Sequence, residues 1–546
     1  MIPVLYKANI LSPKQRERNA FLSKHHPVMF LALNAHYTHK GDGVSFRGRY
    51  FLRDIYLDQS DYITIRKSTQ CGLTEWLIVV AISRASMGRG VFYVLPTYSL
   101  QNRFVKNRFN KSVEYSSYYK TMLQSEEGKR FTENMSLKRF GNGSVAFIGS
   151  NAPAAFMEFP ADDLIIDELD KCNMENLPLA DGRLSSSESP TRVKVSNPTI
   201  EGFGIDIEYN QSDRKQWYIK CSSCGKYIQP DFSRHVVKEG QDENEYYVID
   251  EAWDEHSIRD IKPICHLCGK PFDRFADGIW KEQDKKSNIS GYHISKMFST
   301  NVSLVEMVNN FNEGLENETK LQAFYNLDLG LAYTSKGSKI TYSVLDEAIG
   351  DYNEYKDLKD GSRAFMGVDV GSYLHYVIAK FTPERNIQVL TFGKVQTEDE
   401  LFSVAKRYNA VIGVIDGLPE TRLSKKICGR LKYWFMCFYG ATKTMKMNER
   451  AKMITVDRTS SLDEVKESII TRRLILPVGS RYKQPLVFQS GIEVSEFYQN
   501  MTSSTRVFNE KRQVYDWVHT EPDHYMHSTC YMLIASKLFL ILGGKK

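Results

Sequence analysis

The sequence predicts an α/β protein with two sheet-containing domains and a small metal-binding insert between them. Short apolar strand candidates alternate with charged, helix-like stretches over residues 60–200, and a second series of apolar strands begins at Phe365. Between these blocks, the polar segment 211–290 carries two CxxC pairs. Alternating strands and helices are typical of a parallel sheet, and paired CxxC motifs are typical of a zinc site.

Length and composition narrow the class of protein. The 546 residues are enough for three or four domains of about 150 residues each. A net charge of +6 is compatible with nucleic-acid binding without requiring it. No apolar run reaches the ~18 residues of a membrane span, and the N-terminus lacks the apolar core of a secretory signal. We therefore expect no membrane association, and we expect residues 531–542 to form a buried helix.

The strand candidates define the two blocks. Those of the first block lie at residues 62–65, 91–95, 145–148, 164–166 and 193–195. Those of the second block lie at residues 365–368, 387–392 and 410–415, and a long helix follows from about Pro522. Residues 340–362 are expected to form a helix and then a polar linker between the blocks.

A candidate phosphate loop follows the first strand, in Lys67-Ser68-Thr69-Gln70-Cys71-Gly72-Leu73-Thr74. It departs from the pattern G-x-x-x-x-G-K-[ST], because Lys67 replaces the first glycine and Leu73 the usual lysine. Gly72 permits the turn, Thr74 supplies a hydroxyl for Mg²⁺, and Lys67 is expected to reach back to the phosphates. Taken alone, the segment also fits an ordinary strand–turn–helix connection.

A second motif, Leu164-Ile165-Ile166-Asp167-Glu168, makes nucleotide hydrolysis the better hypothesis. In nucleotide hydrolases a strand-end aspartate orients the magnesium water, and the next glutamate polarises the attacking water as general base. A third segment, Ser196-Asn197-Pro198-Thr199, ends another strand where motor ATPases sense the γ-phosphate. Residues 1–210 are therefore expected to form a P-loop (RecA/ASCE-like) ATPase domain that binds ATP and Mg²⁺.

Two CxxCG knuckles predict a zinc site in the segment 211–290. Their four cysteines, out of nine in the chain, are Cys221, Cys224, Cys265 and Cys268. Four thiolates suit tetrahedral Zn²⁺, and the following glycines let backbone N–H groups turn toward sulfur. A zinc-ribbon-like insert with a structural metal is expected, with an acidic hairpin in the gap between knuckles and with His266 outside the ligand set. Disulfides and degenerate knuckles without metal are the alternatives.

Three separated carboxylates predict a nuclease in the last block, residues 363–546. Asp369 and Asp416 each end a strand, and Asp523 lies at the start of the last helix. Carboxylates at one rim of an α/β sheet can hold two Mg²⁺ or Mn²⁺ ions for phosphodiester hydrolysis. Each aspartate alone fits a turn or helix-cap role. As a set they predict an RNase H-like nuclease domain, in which His524 and His527 are expected to have packing or capping roles.

The order of these motifs resembles the large subunit of tailed-phage terminases, in particular the lambda-like branch. The resemblance runs through nearly the whole chain and includes further short segments without obvious chemistry of their own. These are Gly278-Ile279-Trp280, Gly291-Tyr292-His293-Ile294, Phe324-Tyr325-Asn326-Leu327-Asp328-Leu329-Gly330, Asp457-Arg458-Thr459 and Asp523-His524.

The resemblance implies a viral motor that uses ATP to translocate double-stranded DNA into a procapsid. It also implies a metal-dependent endonuclease that cuts concatemeric DNA. The implied partners are a small terminase subunit and the portal protein, with a ring oligomer on the portal, in the host cell cytoplasm. Lys67 and Thr74 would contact phosphates and Mg²⁺, Asp167 would bind metal, Glu168 would be the base, and residues 196–199 would couple hydrolysis to movement. The nuclease ligands would be Asp369, Asp416 and Asp523.

Two features of the family are not assigned by the sequence. Thr69 stands where many terminases have an arginine, so the transition-state charge is expected from Arg66, from another arginine such as Arg103, or from a neighbouring subunit. An upstream aromatic residue, Tyr50 or Phe51, is the candidate for stacking on adenine.

Two other classes of protein share some of these motifs. A host-type DNA translocase or helicase with a fused nuclease would also have the ATPase and the acidic set. It would carry helicase motifs in a second motor lobe, and none is recognisable between residues 200 and 360. A zinc-stapled DNA-binding scaffold with an inactive ATPase is the non-enzymatic alternative. Residues 291–362 are expected to form a lid or linker region in either case.

Overall fold

The structure, a computed structural model, describes residues 12–123, 136–157, 160–239, 246–248, 253–254, 257–299, 302–335, 337–442, 444–487, 493–509 and 514–542. The chain forms two compact units, Met1–Ser335 and Lys336–Lys546. The expected division differs from this one. The ATPase region, the insert and residues up to 335 form one unit, so the expected lid or linker segment 291–362 is divided between the two units.

The first unit begins with strands that the sequence largely predicts. They are β1 (Tyr62–Lys67), β2 (Gly90–Leu95), β3 (Leu137–Phe140), β4 (Gly143–Gly149), β5 (Asp163–Asp167) and β6 (Thr191–Ser196). All five strands predicted for this block are confirmed, and β3 is additional. The predicted strands are apolar along their whole length because helices cover both faces of a parallel sheet.

The insert follows as a set of short strands. They are β7 (Gln216–Lys220), β8 (Tyr227–Ile228), β9 (Val237–Glu239), β10 (Tyr246–Val248), β11 (Trp253–Asp254), β12 (Ser257–Ile261) and β13 (Gly278–Lys281). Strands β13, β7 and β8 form an antiparallel sheet, and β9–β10 and β11–β12 are antiparallel pairs. The expected hairpin between the knuckles is thus present, while the acidic residues 241–245 lie outside the described residues.

After the insert the chain returns to the main sheet. Strand β14 (Ser290–Ile294) pairs in parallel with β1, and the seven strands lie in the order β14-β1-β6-β5-β2-β4-β3. Only β3 runs antiparallel to its neighbour. The carboxyl ends of β1, β5, β6 and β14 therefore meet at one edge of the sheet, where the predicted phosphate loop and acidic motif lie.

The helices of the first unit surround this sheet. They are α1 (Pro13–His25), α2 (Pro27–Asn34), α3 (Phe51–Leu57), α4 (Leu73–Ser86), α5 (Tyr98–Phe104), α6 (Asn110–Tyr115), α7 (Ser117–Leu123), α8 (Leu177–Asp181), α9 (Ile205–Asn210), α10 (Phe232–His235), α11 (Lys296–Ser299), α12 (Leu304–Glu316) and α13 (Glu318–Ala323). Single π-helical turns continue α5 at Val105–Phe109 and α13 at Phe324–Leu329.

The second unit has a nine-stranded mixed sheet. Its strands are β15 (Ile349–Asn353), β16 (Ala364–Val370), β17 (Leu374–Phe381), β18 (Ile387–Val395), β19 (Ala410–Asp416), β20 (Tyr433–Tyr439), β21 (Lys446–Asn448), β22 (Met453–Val456) and β23 (Leu474–Val478). The order is β15-β23-β18-β17-β16-β19-β20-β22-β21. Strands β16, β17 and β18 are antiparallel, whereas β16, β19, β20 and β22 are parallel. The predicted strands at 365–368, 387–392 and 410–415 are confirmed, but β15 replaces part of the expected linker.

Helices and two hairpins complete the described part of the second unit. The hairpins are β24 (Leu486–Val487) with β25 (Glu493–Val494), and β26 (Ser504–Asn509) with β27 (Val514–His519). The helices are α14 (Tyr342–Glu347), α15 (Glu398–Arg407), α16 (Thr421–Arg430), α17 (Arg458–Ile470), α18 (Glu496–Thr502) and α19 (His524–Leu542).

Helix α19 packs closely on the centre of the second sheet. A Cβ atom at Gly367 of β16 would lie 2.1 Å from both Met532 N and Ser528 O, so the glycine is needed for this approach. The helix is long and apolar enough to cross a membrane, but 67% of its most apolar window is buried in the unit, as in a core helix. The packing brings the first residue of α19 to the carboxyl end of β16, where Asp369 lies.

Candidate nucleotide and metal sites

The predicted phosphate loop connects β1 to α4. Gln70 and Gly72 have φ angles of 59° and 90°, and Gly72 stands directly before the helix. The first N–H groups of a helix have no partner within it and face an incoming anion. Thr74 lies in this first turn and is half-buried. Leu73, at the usual lysine position, has only 1% of its surface exposed and belongs to the core.

Lys67 brings the three predicted ATPase motifs together. Its Nζ lies 3.3 Å from Glu168 Oε1 and 3.3 Å from Asn197 Oδ1, and its carbonyl accepts a 2.8 Å hydrogen bond from Asn197 Nδ2. Burial lowers the pKa of Lys67, but the attraction of Glu168 and other neighbours outweighs it, so the pKa lies above its ordinary value. The lysine is therefore a buried cation at the edge of the sheet where the loop ends.

The two carboxylates at the end of β5 have different environments. Asp167 is buried and accepts a 3.1 Å hydrogen bond from the Tyr93 hydroxyl. Burial and the neighbouring charge of Glu168 raise the pKa of Asp167. Glu168 lies between Lys67 and Lys171, whose Nζ is 2.5 Å from Oε2. Although burial opposes its charge, these two lysines hold the pKa of Glu168 below its ordinary value.

The backbone at Glu168 is strained. Its φ is 63°, in the left-handed region that a non-glycine residue occupies at a cost on the order of 1–3 kcal/mol. The next residues form a single 3₁₀ turn, Leu169–Lys171. Glu168 is thereby turned toward Lys67 rather than continuing the strand, as expected of a side chain held for function.

Asp170 links this turn to the third motif. Its Oδ2 accepts from the backbone N and the hydroxyl of Thr199 at 3.0 and 2.9 Å, and its Oδ1 accepts from Ile205 N at 2.8 Å. Its own N–H donates to Ser196 Oγ at 3.1 Å. Residues 196–199 are thus connected to the acidic motif by direct hydrogen bonds, in addition to the contact between Asn197 and Lys67.

The phosphate loop is held from the other side by a segment whose role the sequence did not predict. Ser68 N donates to Ile294 O at 2.7 Å, and Thr69 N and Oγ1 donate to Leu327 O at 2.9 and 3.1 Å. Gly330 has a φ of 67°, and a Cβ there would lie 2.7 Å from Ser68 N. The segment 324–330, which had no obvious chemistry in the sequence, therefore packs on the phosphate loop.

The arginines near this site differ from the expectation. Arg66 is turned away from Lys67, because its Nη1 lies 2.6 Å from Asp206 Oδ1 and its guanidinium stacks 4.2 Å from the Tyr209 ring centre. Arg103 is exposed on α5. The arginine beside the loop is Arg49, whose Nη1 would lie 3.2 Å from a Cβ built on Gly72. Among the described residues, no hydrogen bond or ion pair engages the Arg49 guanidinium.

The two aromatic candidates for adenine stacking also separate. Phe51 is 1% exposed and packs edge-to-face on Phe298 with the ring centres 5.5 Å apart, so it belongs to the core. Tyr50 is half-buried and directly precedes α3. Of the two, Tyr50 is the side chain with accessible surface.

The four knuckle cysteines form a compact cluster. Their sulfur atoms all lie within 4.8 Å of one another, with Cys221 3.9 Å from Cys268 and Cys224 4.0 Å from Cys265. Gly225 and Gly269 have φ angles of 69° and 67°, which permit the turns after each knuckle. His266 pairs with the buried His235 at 2.9 Å instead of joining the sulfur cluster, as expected. This donor set fits a tetrahedral metal ion.

In the second unit, two of the three predicted nuclease carboxylates end neighbouring parallel strands. Val368 lies beside Ile415 in the register of β16 and β19, which places Asp369 next to Asp416. Burial, together with the charge of Asp369, raises the pKa of Asp416 to about 6. The pair is therefore a site of concentrated negative charge that a divalent cation would relieve.

Asp523 has partners on its own side of the unit. Its Oδ2 accepts a 3.0 Å hydrogen bond from Ser504 Oγ and lies 3.4 Å from His527 Nε2 and 3.6 Å from His519 Nδ1. Although burial opposes its charge, the two histidines hold the pKa of Asp523 below its usual range. The first residue of α19, His524, is the one whose Nδ1 contacts Asp369, 2.8 Å from Oδ2.

Two family models match the chain. Residues 53–274 match the model described as phage terminase large subunit gpA, ATPase domain, and residues 289–398 match terminase large subunit gpA, endonuclease domain. Together the matches cover more than half of the chain. The chain belongs to the phage terminase large subunit family. As a member of that family, this terminase is an ATPase and an endonuclease of a phage DNA-packaging motor.

Solved structures agree with this assignment at the level of fold. The HK97 bacteriophage large terminase is 9% identical with a TM-score of 0.50, and the match covers 94% of this terminase and 98% of that chain. A large terminase from a thermophilic bacteriophage is 11% identical over 88% of this chain and 94% of that one, but its TM-score of 0.29 carries no argument. A comparison with curated proteins found no match.

The family models also explain why the domain boundary was hard to predict. The endonuclease match of this terminase begins at residue 289, yet β14 lies in the first sheet and residues up to 335 belong to the first unit. Segments matched as endonuclease therefore complete the phosphate-loop side of the ATPase.

Proposed function

We propose that the edge of the first sheet binds and hydrolyses ATP with Mg²⁺. Lys67 and the backbone of the phosphate loop hold the phosphates, Thr74 and Asp167 bind the metal, and Glu168 is the general base. The loop residues in this assignment are Lys67, Ser68, Thr69, Gln70, Cys71, Gly72, Leu73 and Thr74. Magnesium would supply charge neutralisation at the phosphates. The contact of Lys67 with both Glu168 and Asn197 carries the proposal, because it joins three separate motifs at one point.

Arg49 completes this proposed site as a second cation. Its guanidinium lies beside Gly72, and the displaced lysine leaves the usual cation position to Leu73. An arginine is suited to phosphate oxygens because its N–H donors bind in pairs. Arg66 is engaged by Asp206 and is therefore the weaker candidate for this role.

For the nuclease, Asp369, Asp416 and Asp523 are the proposed Mg²⁺ or Mn²⁺ ligands. The carboxylate oxygens fit hard divalent cations, and the raised pKa of Asp416 beside Asp369 supports a shared ion there. The metals would activate water and stabilise the leaving oxygen. Asp523 would have to exchange its contacts with Ser504 and the two histidines to join this set.

The insert is proposed to hold a structural Zn²⁺ on Cys221, Cys224, Cys265 and Cys268. Four sulfur ligands leave no open position for catalysis. Metal analysis of the purified protein tests this: about one zinc per chain is expected in the wild type and much less in Cys265→Ser. Equal zinc contents in both proteins would contradict the assignment.

The proposed setting is the host cell cytoplasm, with double-stranded DNA as the substrate of both activities. A small terminase subunit, the portal protein and the procapsid are the proposed partners, and a ring on the portal is the proposed working state. Family membership supports these partners, and no membrane is required.

The decisive experiment measures both activities in matched variants of the full chain. DNA-stimulated ATP hydrolysis and plasmid cleavage in Mn²⁺ are compared in wild type, Lys67→Ala and Asp416→Ala. We expect each substitution to remove one activity and spare the other. Plasmid cleavage that persists in Asp416→Ala would reject the carboxylate assignment, and ATP turnover that persists in Lys67→Ala would reject the phosphate-loop assignment.

A further inference from the structure

The strand that carries Asp369 has a histidine on one side and an aspartate on the other. In the antiparallel pair of β16 and β17, Asp369 lies directly opposite His375, so both side chains project from the same face of the sheet. On the other side, β19 supplies Asp416. Asp369 is thus the shared residue of two neighbouring groups, one containing only carboxylates and the other containing imidazole.

His375 is a buried polar side chain without a hydrogen-bond partner. It is 3% exposed, and neither ring nitrogen makes a hydrogen bond with any described residue. The nearest carboxylate oxygen, Glu496 Oε1, is 3.7 Å from Nε2, which is beyond hydrogen-bond distance. Buried polar groups in native proteins are nearly always satisfied, so the ring is arranged for a group that the protein itself does not supply.

His524 approaches from helix α19. Its ring stacks on His375 with centres 4.4 Å apart and planes 8° apart, and its Nδ1 lies 2.8 Å from Asp369 Oδ2. Gly371 leaves room for this ring, since a Cβ there would lie 3.1 Å from His524 Cε1. One ligand atom from each of Asp369, His375 and His524 lies within 4.8 Å of the others.

We propose that Asp369, His375 and His524 form a nitrogen-containing metal position beside the carboxylate position of Asp369 and Asp416. The proposal rests on the nuclease assignment above and adds the ligand type and class of metal. Ligands of one ion are separated by roughly 3–4 Å when each bond is about 2.1 Å, so a small closure and a tilt of the stacked rings complete the geometry. Helix α19 then contributes His524 to the metal site through the residue next to Asp523.

The ligand types predict the metal. Imidazole nitrogen favours first-row transition-metal ions, whereas Mg²⁺ and Ca²⁺ prefer all-oxygen sites. The position at His375 and His524 is therefore expected to take Mn²⁺ or a later transition-metal ion and to reject Mg²⁺. The position at Asp369 and Asp416 accepts either class.

The test is Mn²⁺ binding to the nucleotide-free, full-length protein, followed by calorimetry and by pulsed electron paramagnetic resonance. We expect two bound Mn²⁺ ions, one of which shows coupling to ¹⁴N. His524→Gln and His375→Gln should remove the ¹⁴N coupling and lower the affinity of one position by about 10- to 100-fold. Asp416→Asn should weaken the other position and keep the coupling. His519→Gln, an exposed histidine of the same unit, is the control and should change neither.

The outcomes separate this proposal from the nuclease assignment. Two Mn²⁺ ions without ¹⁴N coupling in the wild type would overturn the imidazole position and leave the carboxylate site standing. Loss of the second ion in Asp523→Asn but not in His524→Gln would overturn it as well, because the helix ligand would then be Asp523. Mn²⁺ binding that Asp369→Asn leaves unchanged would reject the nuclease metal site itself. Unchanged thermal melting and zinc content in each variant exclude misfolding as the cause.

Discussion

The two active regions of this terminase are built at the same place in their sheets but balance charge in opposite ways. In the first unit, Lys67 lies between Glu168 and Asn197, and Lys171 contacts the other oxygen of Glu168. In the second unit, Asp369 lies beside Asp416 without a lysine or arginine among its described ion-pair partners, and His524 is the side chain that contacts it.

The difference shows in the pKa values of the acids. Lysines hold the pKa of Glu168 below its ordinary value, whereas burial and Asp369 raise the pKa of Asp416 to about 6. A site that carries its own cations is assembled before its ligand binds. A site of unbalanced carboxylates needs metal ions from solution to reach its working charge. The ATPase is therefore expected to depend on protein cations, and the nuclease on the choice of metal.

The largest expected effect is at the unbalanced site. Asp416→Asn keeps the size of the side chain but removes its charge, so plasmid cleavage in Mn²⁺ should fall by about a thousandfold or more. ATP hydrolysis, measured in the same preparation, should stay within about twofold of wild type. A nuclease that retained a tenth of its activity would show that Asp416 is not a metal ligand.

The balanced site should respond to loss of its cation. Lys67→Ala should lower DNA-stimulated ATP turnover by about a hundredfold, the usual cost of removing one preorganised charge-stabilising group. Lys67→Arg is the matched control, because it keeps the charge and changes its position. Equal ATP turnover in wild type and Lys67→Ala would mean that the cation at the phosphates is a different residue.

A smaller effect is expected at Arg49. If its guanidinium binds phosphate, Arg49→Ala should raise the KM for ATP by about tenfold, which corresponds to roughly 1.4 kcal/mol of charge-assisted hydrogen bonding. Arg49→Lys should recover part of this loss. Arg66→Lys serves as a comparison for an arginine that pairs with Asp206. A KM shift in the Arg66 variant and none in the Arg49 variants would reverse the assignment.

The smallest effect concerns stability and contrasts two buried histidines. His293 in the first unit has both nitrogens engaged, by Gln216 Oε1 at 3.1 Å and Leu329 O at 3.0 Å, unlike His375 in the second unit. Burial lowers the pKa of His293 to about 3, and Arg66 adds to this effect.

This stabilisation is present in full above the unfolded pKa of about 6.5 and is lost as the pH falls toward 3. Between these values His293 should cost about 1.4 kcal/mol of unfolding free energy per pH unit. Urea unfolding at pH 7.5 and 5.5 should therefore show a steeper loss in wild type than in His293→Gln. Identical losses in both proteins would mean that His293 already carries its proton.

Much of this architecture follows from local sequence. The five strands predicted in the first block are continuous apolar runs, because parallel strands are buried on both faces. Lys67, Asp167 and Glu168 could be recognised because their chemistry stands at strand ends, and the CxxCG knuckles because metal ligands need fixed spacing. Strand β15 was missed because Ile349–Asn353 is polar and lies at the edge of its sheet.

What only the tertiary structure decided are contacts between residues that are distant in sequence. Strand β14 returns beside β1 after the whole insert, and Leu327 and Gly330 then support the phosphate loop. Arg66 and Arg49 look alike in the sequence, yet Asp206 engages one and Gly72 lies beside the other. Periodicity and motif spacing report local geometry. The meeting of Asp369, His375 and His524 depends instead on strand register and helix packing, which no local pattern encodes.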